Sequence, residues 1–325
     1  MAGYSAAMRL LIRSLLLLLA GLVFFLLAGI VAVWAPDQPV SALAPRWAQA
    51  PSQFVPVGTM LVHLRDEGPR DDPAPIVLLH GTSDSLHTWD GWSAALRGQR
   101  RVIRFDLPGF GLTGPHPQAD YSIDAYVRFV LAVLDTLDVQ TFVLGGNSLG
   151  GQIAWQTAHA QPQRVRQLVL VDAAGYPVPP QDVPVGFRLA RSWPANRLLE
   201  WVFPRGLVRS SLRNVFGDPD QVNADVIDRC YDMAVRAGNR RALVQRLALS
   251  EPDESRRIRD LRIPTLVLWG ERDRLIPLQS ARRFAQDIPG AQLVVLDGLG
   301  HVPQLEDAPR SVAEVQRFLG ITPQR

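Results

Sequence analysis

The stretch Thr141-Phe142-Val143-Leu144-Gly145-Gly146-Asn147-Ser148-Leu149-Gly150-Gly151 decides how the rest of the chain is read. It opens as a short apolar run and closes on small residues. Residues 149–160, which follow, carry apolar residues at helical spacing. A strand therefore ends, and a helix begins, at Ser148. So sharp a turn forces its central residue into strained backbone, and flanking glycines leave the room that the turn needs. The turn lifts the serine oxygen clear of the strand. The helix beside it offers free N–H groups and the positive end of its dipole. This setting makes Ser148 a candidate nucleophile.

Working outward, similar apolar runs recur on both sides: IVLLH at 76–80, RVIRFD at 101–106, QLVLVD at 167–172, TLVLWG at 265–270 and AQLVVLD at 291–297. They are rich in β-branched residues and apolar on both faces. Strands of a parallel sheet covered on both sides have this composition. Helical patterns fall between them, at 123–137, 149–160, 280–286 and 312–319. The alternation predicts an α/β fold, a mainly parallel sheet with helices on both faces. Residues 61–65 fit an earlier, antiparallel edge strand. Between 172 and 263 the alternation fails. Residues 188–202, 207–215, 222–237 and 240–248 look helical, so an inserted helical lid is expected at about 176–262. Its Phe187, Trp193, Leu198, Trp201 and Phe203 either pack on the sheet or line a pocket.

A serine hydroxyl is a poor nucleophile until a base takes its proton. Among six histidines, His301 is placed best, after the last strand and before the final helix. The base needs an acid on its other ring nitrogen to fix the tautomer. Asp273, just past a strand end in Gly270-Glu271-Arg272-Asp273, is the choice; Glu271 and Asp172 are its rivals. Attack on a carbonyl also builds charge on oxygen. One donor for that charge is the backbone N–H of Leu149, the residue after the nucleophile. The other is expected from the loop His80-Gly81-Thr82-Ser83, with Thr82 preferred and Ser83 the alternative. His80 is expected to shape that loop rather than move protons. The histidines and acids lack the close spacing of a metal site, and no metal or organic cofactor is implied.

These motifs carry a resemblance. From about residue 59 onward the chain resembles the α/β-hydrolase superfamily, in His80-Gly81, Asp106-Leu107-Pro108-Gly109-Phe110-Gly111, Gly146-Asn147-Ser148-Leu149-Gly150-Gly151, Gly270-Glu271-Arg272-Asp273 and Gly300-His301. The order Ser148, Asp273, His301 is the one that this fold uses. Within the superfamily, the serine turn and Asp172-Ala173-Ala174-Gly175-Tyr176 resemble the meta-cleavage-product hydrolases, which break carbon–carbon bonds. Those enzymes usually place a tryptophan after the catalytic histidine, where this chain has Val302, and they are typically soluble. Epoxide hydrolases and haloalkane dehalogenases are similar too, but they attack with an aspartate.

The amino end is of another kind. Residues 14–35 carry no charge, and a helix needs about 20 apolar residues to cross a bilayer. A transmembrane anchor is expected there, with a cleaved signal peptide or a buried helix as the alternatives. Arg9 and Arg13 precede it and Trp34 marks its far edge. By the positive-inside rule, residues 1–13 stay cytoplasmic and the catalytic domain lies on the periplasmic or extracellular side. Residues 36–56 hold five prolines, which predicts an extended tether to a hydrolase domain at 57–325. The net charge of +3 and the balance of 34 basic against 31 acidic residues give no basic block for nucleic acid. Cys230, the single cysteine, excludes an internal disulfide. Together these readings describe a membrane-anchored serine hydrolase acting on apolar esters through an acyl-enzyme. The alternatives are a carbon–carbon hydrolase acting on a vinylogous diketone acid and a non-catalytic binding member of the fold.

Overall fold

The computed structural model describes residues 6–177, 183 and 185–322. Eight strands form one sheet: β1 Gln53–Val57, β2 Met60–Glu67, β3 Ile76–Leu79, β4 Val102–Phe105, β5 Phe142–Asn147, β6 Val165–Val171, β7 Thr265–Gly270 and β8 Gln292–Leu296. Their order is β1-β2-β4-β3-β5-β6-β7-β8. β1 and β2 run antiparallel, and β2 is antiparallel to β4; every other pairing is parallel. β3, β4, β5 and β7 are buried along their whole length.

Side chains alternate across a strand, and here the alternation fills two cores. Val77 and Leu79 join Ile103, Phe105 and Trp269 on one face. Ile76 and Leu78 join Val102, Trp92 and Leu268 on the other. Helices α3 Asp90–Leu96 and α13 Ala308–Leu319 cover the second face; α4 Ile123–Thr136, α5 Leu149–Ala160 and α11 Leu278–Asp287 cover the first. A short helix, α12 Pro303–Glu306, precedes α13. This is the α/β-hydrolase fold.

The antiparallel margin differs from the sequence expectation. Residues 61–65 belong to an interior strand, and β1 is the true edge. β1 contains Pro56, which an edge strand tolerates because one side of it needs no N–H.

The lid is helical between 172 and 264, with no strand among the described residues. Its helices are α6 Val185–Arg191, α7 Ala195–Leu198, α8 Arg205–Val215, α9 Ala224–Val235 and α10 Asn239–Ala248. The single helix expected at 188–202 is broken at Ser192-Trp193-Pro194, because proline disfavours helical backbone in the residue before it. α9 starts later than expected because the Asn223 side chain caps it, accepting from the Val226 N–H. Residues 178–182 and 184, at the expected start of the lid, lie outside the described residues.

The segment after the apolar amino-terminal run is not wholly extended. It carries the two-turn helix α2 Val40–Trp47, with Pro45 inside it. Leu43 is buried against Leu112 and Met233. The Trp47 indole donates to Asp232 (2.9 Å), and the Trp47 carbonyl accepts from His87 Nε2 (2.8 Å). Prolines deny the backbone a long helix; what decides here is an apolar pair, Leu43 and Trp47, one turn apart and facing the lid.

Before it lies α1 Ala6–Ala32. Its Met8–Val31 stretch is long and apolar enough to cross a membrane, and none of it is buried against protein. It is therefore not a core helix.

One buried charge cluster stabilises the antiparallel edge. Glu67 on β2 accepts from Arg104 on β4 (2.6 Å) and from the Ser93 hydroxyl (2.9 Å). Burial alone raises its carboxyl; hydrogen bonds from Arg104 and Arg97 overcome that and bring it from 4.5 to about 2. A depressed acid stabilises the fold above its unfolded value and loses that contribution as pH falls through the folded one. Glu67→Gln is expected to cost on the order of 3 kcal/mol at neutral pH. The deficit should shrink as pH falls from 4.5 toward 2. Denaturation of the full chain in detergent, followed by tryptophan fluorescence, measures it. A deficit independent of pH would contradict the assignment.

Candidate active site

Ser148 sits between β5 and α5 at φ 56° and ψ −116°, a conformation that costs a non-glycine residue about 1–3 kcal/mol. The surroundings over-determine it. Its N–H donates to the Val171 carbonyl (3.1 Å), and its own carbonyl accepts from Gln152 and Ala174 (3.0 Å each). Two glycines make the turn possible. A Cβ on Gly146 would lie 2.2 Å from the Gly150 carbonyl oxygen, and one on Gly150 would lie 2.2 Å from that of Leu79. Asn147, ahead of the serine, donates to the carbonyls of Val171 (3.2 Å) and His301 (2.9 Å). It thus ties the serine turn to the histidine loop.

His301 follows β8 and is buried. Its N–H donates to the Val215 carbonyl at the end of α8 (2.7 Å), so the lid also positions it. Its Nδ1 lies 2.7 Å from Asp273 Oδ2. The other Asp273 oxygen accepts from the backbone of Leu275 (2.7 Å) and Ile276 (3.1 Å). With that carboxyl accepting from both backbone groups, Nδ1–H is the donor to Asp273. The lone pair of His301 is then at Nε2, the nitrogen a general base uses. Ser148 and His301 line the same cavity.

The two rival acids occupy other roles. Glu271 is exposed and accepts from the Gly298 N–H (3.0 Å). Asp172 is fully buried and accepts from Gly270 (3.0 Å). Burial first, and then the neighbouring Asp273, raise its carboxyl well above the usual range. Two buried carboxyls this close oppose each other's ionisation. Asp172 is the one whose carboxyl is raised, while Asp273 has two backbone donors and the histidine. Asp172, Asp273 and His301 each have an atom within 4.8 Å of the others, close enough for a cation. A cation there would have to displace the Nδ1 proton.

The loop after β3 packs on the serine: a Cβ on Gly81 would lie 3.2 Å from Ser148 Cβ. Thr82 and Ser83 line the cavity. Leu149 is the first residue of α5, where an N–H has no partner within the helix. His80 donates from Nδ1 to the Gly81 carbonyl (2.8 Å) and accepts the Leu107 N–H at Nε2 (3.0 Å). Both of its nitrogens are thereby committed to holding the loop. Asp106, to which the sequence assigned no chemistry, accepts from Leu86 and Leu112 (2.7 Å each) and pairs with His63 (2.7 Å).

The cavity measures about 170 Å³. Phe110 comes from the sheet domain; Phe187, Val208, Met233 and Leu243 come from four lid helices. Of the lid residues singled out in the sequence, Phe187 and Phe203 line it, whereas Trp193, Leu198 and Trp201 are exposed. The sequence did not distinguish Arg240, the one arginine in this wall among the described residues, because the lid is rich in arginine and nothing marks the inward one.

A family model for the alpha/beta hydrolase fold matches residues 74–308. The 2-hydroxymuconate semialdehyde hydrolase of Pseudomonas sp. (strain CF600) is 33% identical over 260 residues, 75% of this chain and 86% of that protein. Among solved structures, a meta-cleavage product hydrolase from Pseudomonas fluorescens superposes with a TM-score of 0.70 at 27% identity, covering 82% of this chain and 97% of its own. A membrane phospholipase A superposes with a TM-score of 0.71 at 24% identity, over 96% and 98%, a likeness of fold. By the span of the family model and the identity to these relatives, the chain belongs to the α/β-hydrolase family.

Proposed function

We propose that the chain is a membrane-anchored serine hydrolase of carboxylic esters with an apolar acyl or alcohol part. The observation that carries this reading is an apolar cavity with Ser148 and His301 in its wall and Asp273 on the far ring nitrogen. His301 Nε2 takes the Ser148 Oγ proton as Oγ attacks the ester carbonyl. The backbone N–H groups of Leu149 and Thr82 hold the oxyanion, each contributing about 2.7–4 kcal/mol. The imidazolium, steadied by Asp273, protonates the departing alcohol and leaves an acyl-serine. Water, deprotonated by His301, then releases the acid.

The amino end supports the membrane part of the reading. Where α1 ends, Trp34 stacks on Trp201 of the lid at 5.7 Å, and the Ala35 N–H donates to the Trp201 carbonyl (2.9 Å). Close by in sequence, Trp193 (81% exposed) and Leu198 (61%) present apolar surface. Tryptophan favours the bilayer interface, so this face of the lid suits the membrane surface. Arg9 and Arg13 support a cytoplasmic amino end, with the domain on the periplasmic or extracellular side.

A second reading, carbon–carbon bond hydrolysis of a dienone acid, is favoured by the name of the 33% identical relative. Val302, in the cavity wall beside His301, stands where the meta-cleavage-product hydrolases usually place a tryptophan. The full chain in detergent, assayed on p-nitrophenyl esters of graded length and on 2-hydroxymuconate semialdehyde, separates the two. The proposal expects ester turnover that rises with acyl length until the cavity is filled. Turnover of the dienone alone would replace it with the second reading. For topology, protease added outside intact spheroplasts should digest the domain, and a protected domain would reverse the orientation.

A further inference from the structure

We propose that Arg240 makes one end of the cavity a binding site for the anionic group, carboxylate or phosphate, of an amphiphile whose apolar body fills the rest. Arg240 is the second residue of α10, only 4% exposed, and lines the cavity. Its Nη2 donates to Asp37 (2.6 Å). Its Nε and Nη1 are buried and meet no acceptor among the described residues. Buried charged donors are ordinarily paired, and a ligand in the cavity can supply the acceptors these two lack.

The charges around the cavity favour an anion. Among the described residues, Arg240 is its one arginine and Asp84 its one carboxylate. Asp84 is turned to Arg229 at 3.8 Å and to the Ser85 N–H at 2.8 Å. The Asp37 side chain is about half exposed and also accepts from the Gly238 N–H (2.9 Å). Water therefore screens it on the outer side, while the inner side of the guanidinium faces a wall of low polarity, where a charge-assisted hydrogen bond is strongest. Neighbouring groups hold the backbone here. Asn239 donates to the carbonyls of Gly111 (2.9 Å) and Met233 (2.7 Å), and the Phe203 ring lies 5.9 Å from the guanidinium carbon.

The arrangement also links this site to the membrane anchor. Asp37 belongs to the segment between α1 and α2, so a ligand anion and the post-anchor segment share one guanidinium. As a statement about substrate this rests on the ester reading above; as a statement about binding it stands without it.

The test is calorimetric titration of the full chain in phosphatidylcholine nanodiscs with octanoate, octyl phosphate and 1-octanol, with titrations of empty nanodiscs subtracted. At least one anion should bind about tenfold or more tightly than octanol, and the better of the two identifies carboxylate or phosphate. Arg240→Met should bring the ratio of Kd values near one. Asp37→Asn, which removes the competing carboxylate, should widen it. Octanol binding as tightly as both anions, or a ratio that survives Arg240→Met, overturns the proposal. If Arg240→Met does not fold, the wild-type ratio and its response to Asp37→Asn decide. Fluorophosphonate labelling of the same preparation reports separately on Ser148. Anion selectivity without labelling would sink the esterase reading and leave this one standing.

Discussion

Ser148→Ala is expected to leave the protein folded and to lower kcat on the best ester by several orders of magnitude. Removing the nucleophile of a triad forfeits nearly everything the unit does, because its members act together; what remains comes from binding and the oxyanion donors. His301→Ala should be about as damaging. Stability should respond differently from activity. Alanine keeps the Cβ, so the strain at φ 56° persists and the melting temperature stays close to wild type. Ser148→Gly removes the Cβ and should raise the melting temperature while being equally inactive. Near wild-type turnover in either Ser148→Ala or His301→Ala would break the assignment. A kcat assay paired with thermal denaturation reads both quantities.

The second large effect separates two buried acids. Asp273→Asn should lower kcat by about 10⁴-fold, because an amide donates to Nδ1 and forces the proton onto Nε2, where the lone pair is needed. Asp172→Asn should retain most activity. Asp172 accepts from the Gly270 N–H, and the amide oxygen of an asparagine keeps that bond. The two also differ in pH dependence. An acid whose folded value is raised, by burial and by Asp273, destabilises the fold increasingly as pH climbs above its unfolded value of 3.8. Asp172→Asn should therefore gain stability relative to wild type between pH 4 and neutrality, roughly in step with that titration. The reverse ranking of activities would move the triad acid to Asp172.

Much of this was legible in the sequence because the relevant signals are local. A strand apolar on both faces reads as buried wherever it stands, so the central strands were readable one by one. Ser148, Asp273 and His301 each sit just after a strand, and the fold brings those ends together along one edge of the sheet. What escaped depends on contacts far apart in sequence. β1 is a strand only because β2 pairs with it. α2 is a helix in proline-rich sequence because Leu43 and Trp47 find α9 and the loops beside it. The lid helices were visible by their period, but their inward faces were not, since each borders the sheet domain, other lid helices and solvent. Asp172 looked like a competitor of Asp273 because both end strands; contact between them turns competition into support. Arg240 is one arginine among many in the sequence, and only the fold sets it in the cavity wall.

The central claim is that Ser148 is an activated nucleophile, and covalent labelling tests it most directly. The folded full chain, treated with a fluorophosphonate and digested, should yield a single modified peptide carrying the adduct on Ser148. His301→Ala should abolish the adduct, since activation depends on the base. A folded wild-type chain that takes up no label, or one labelled at another serine, would contradict the account.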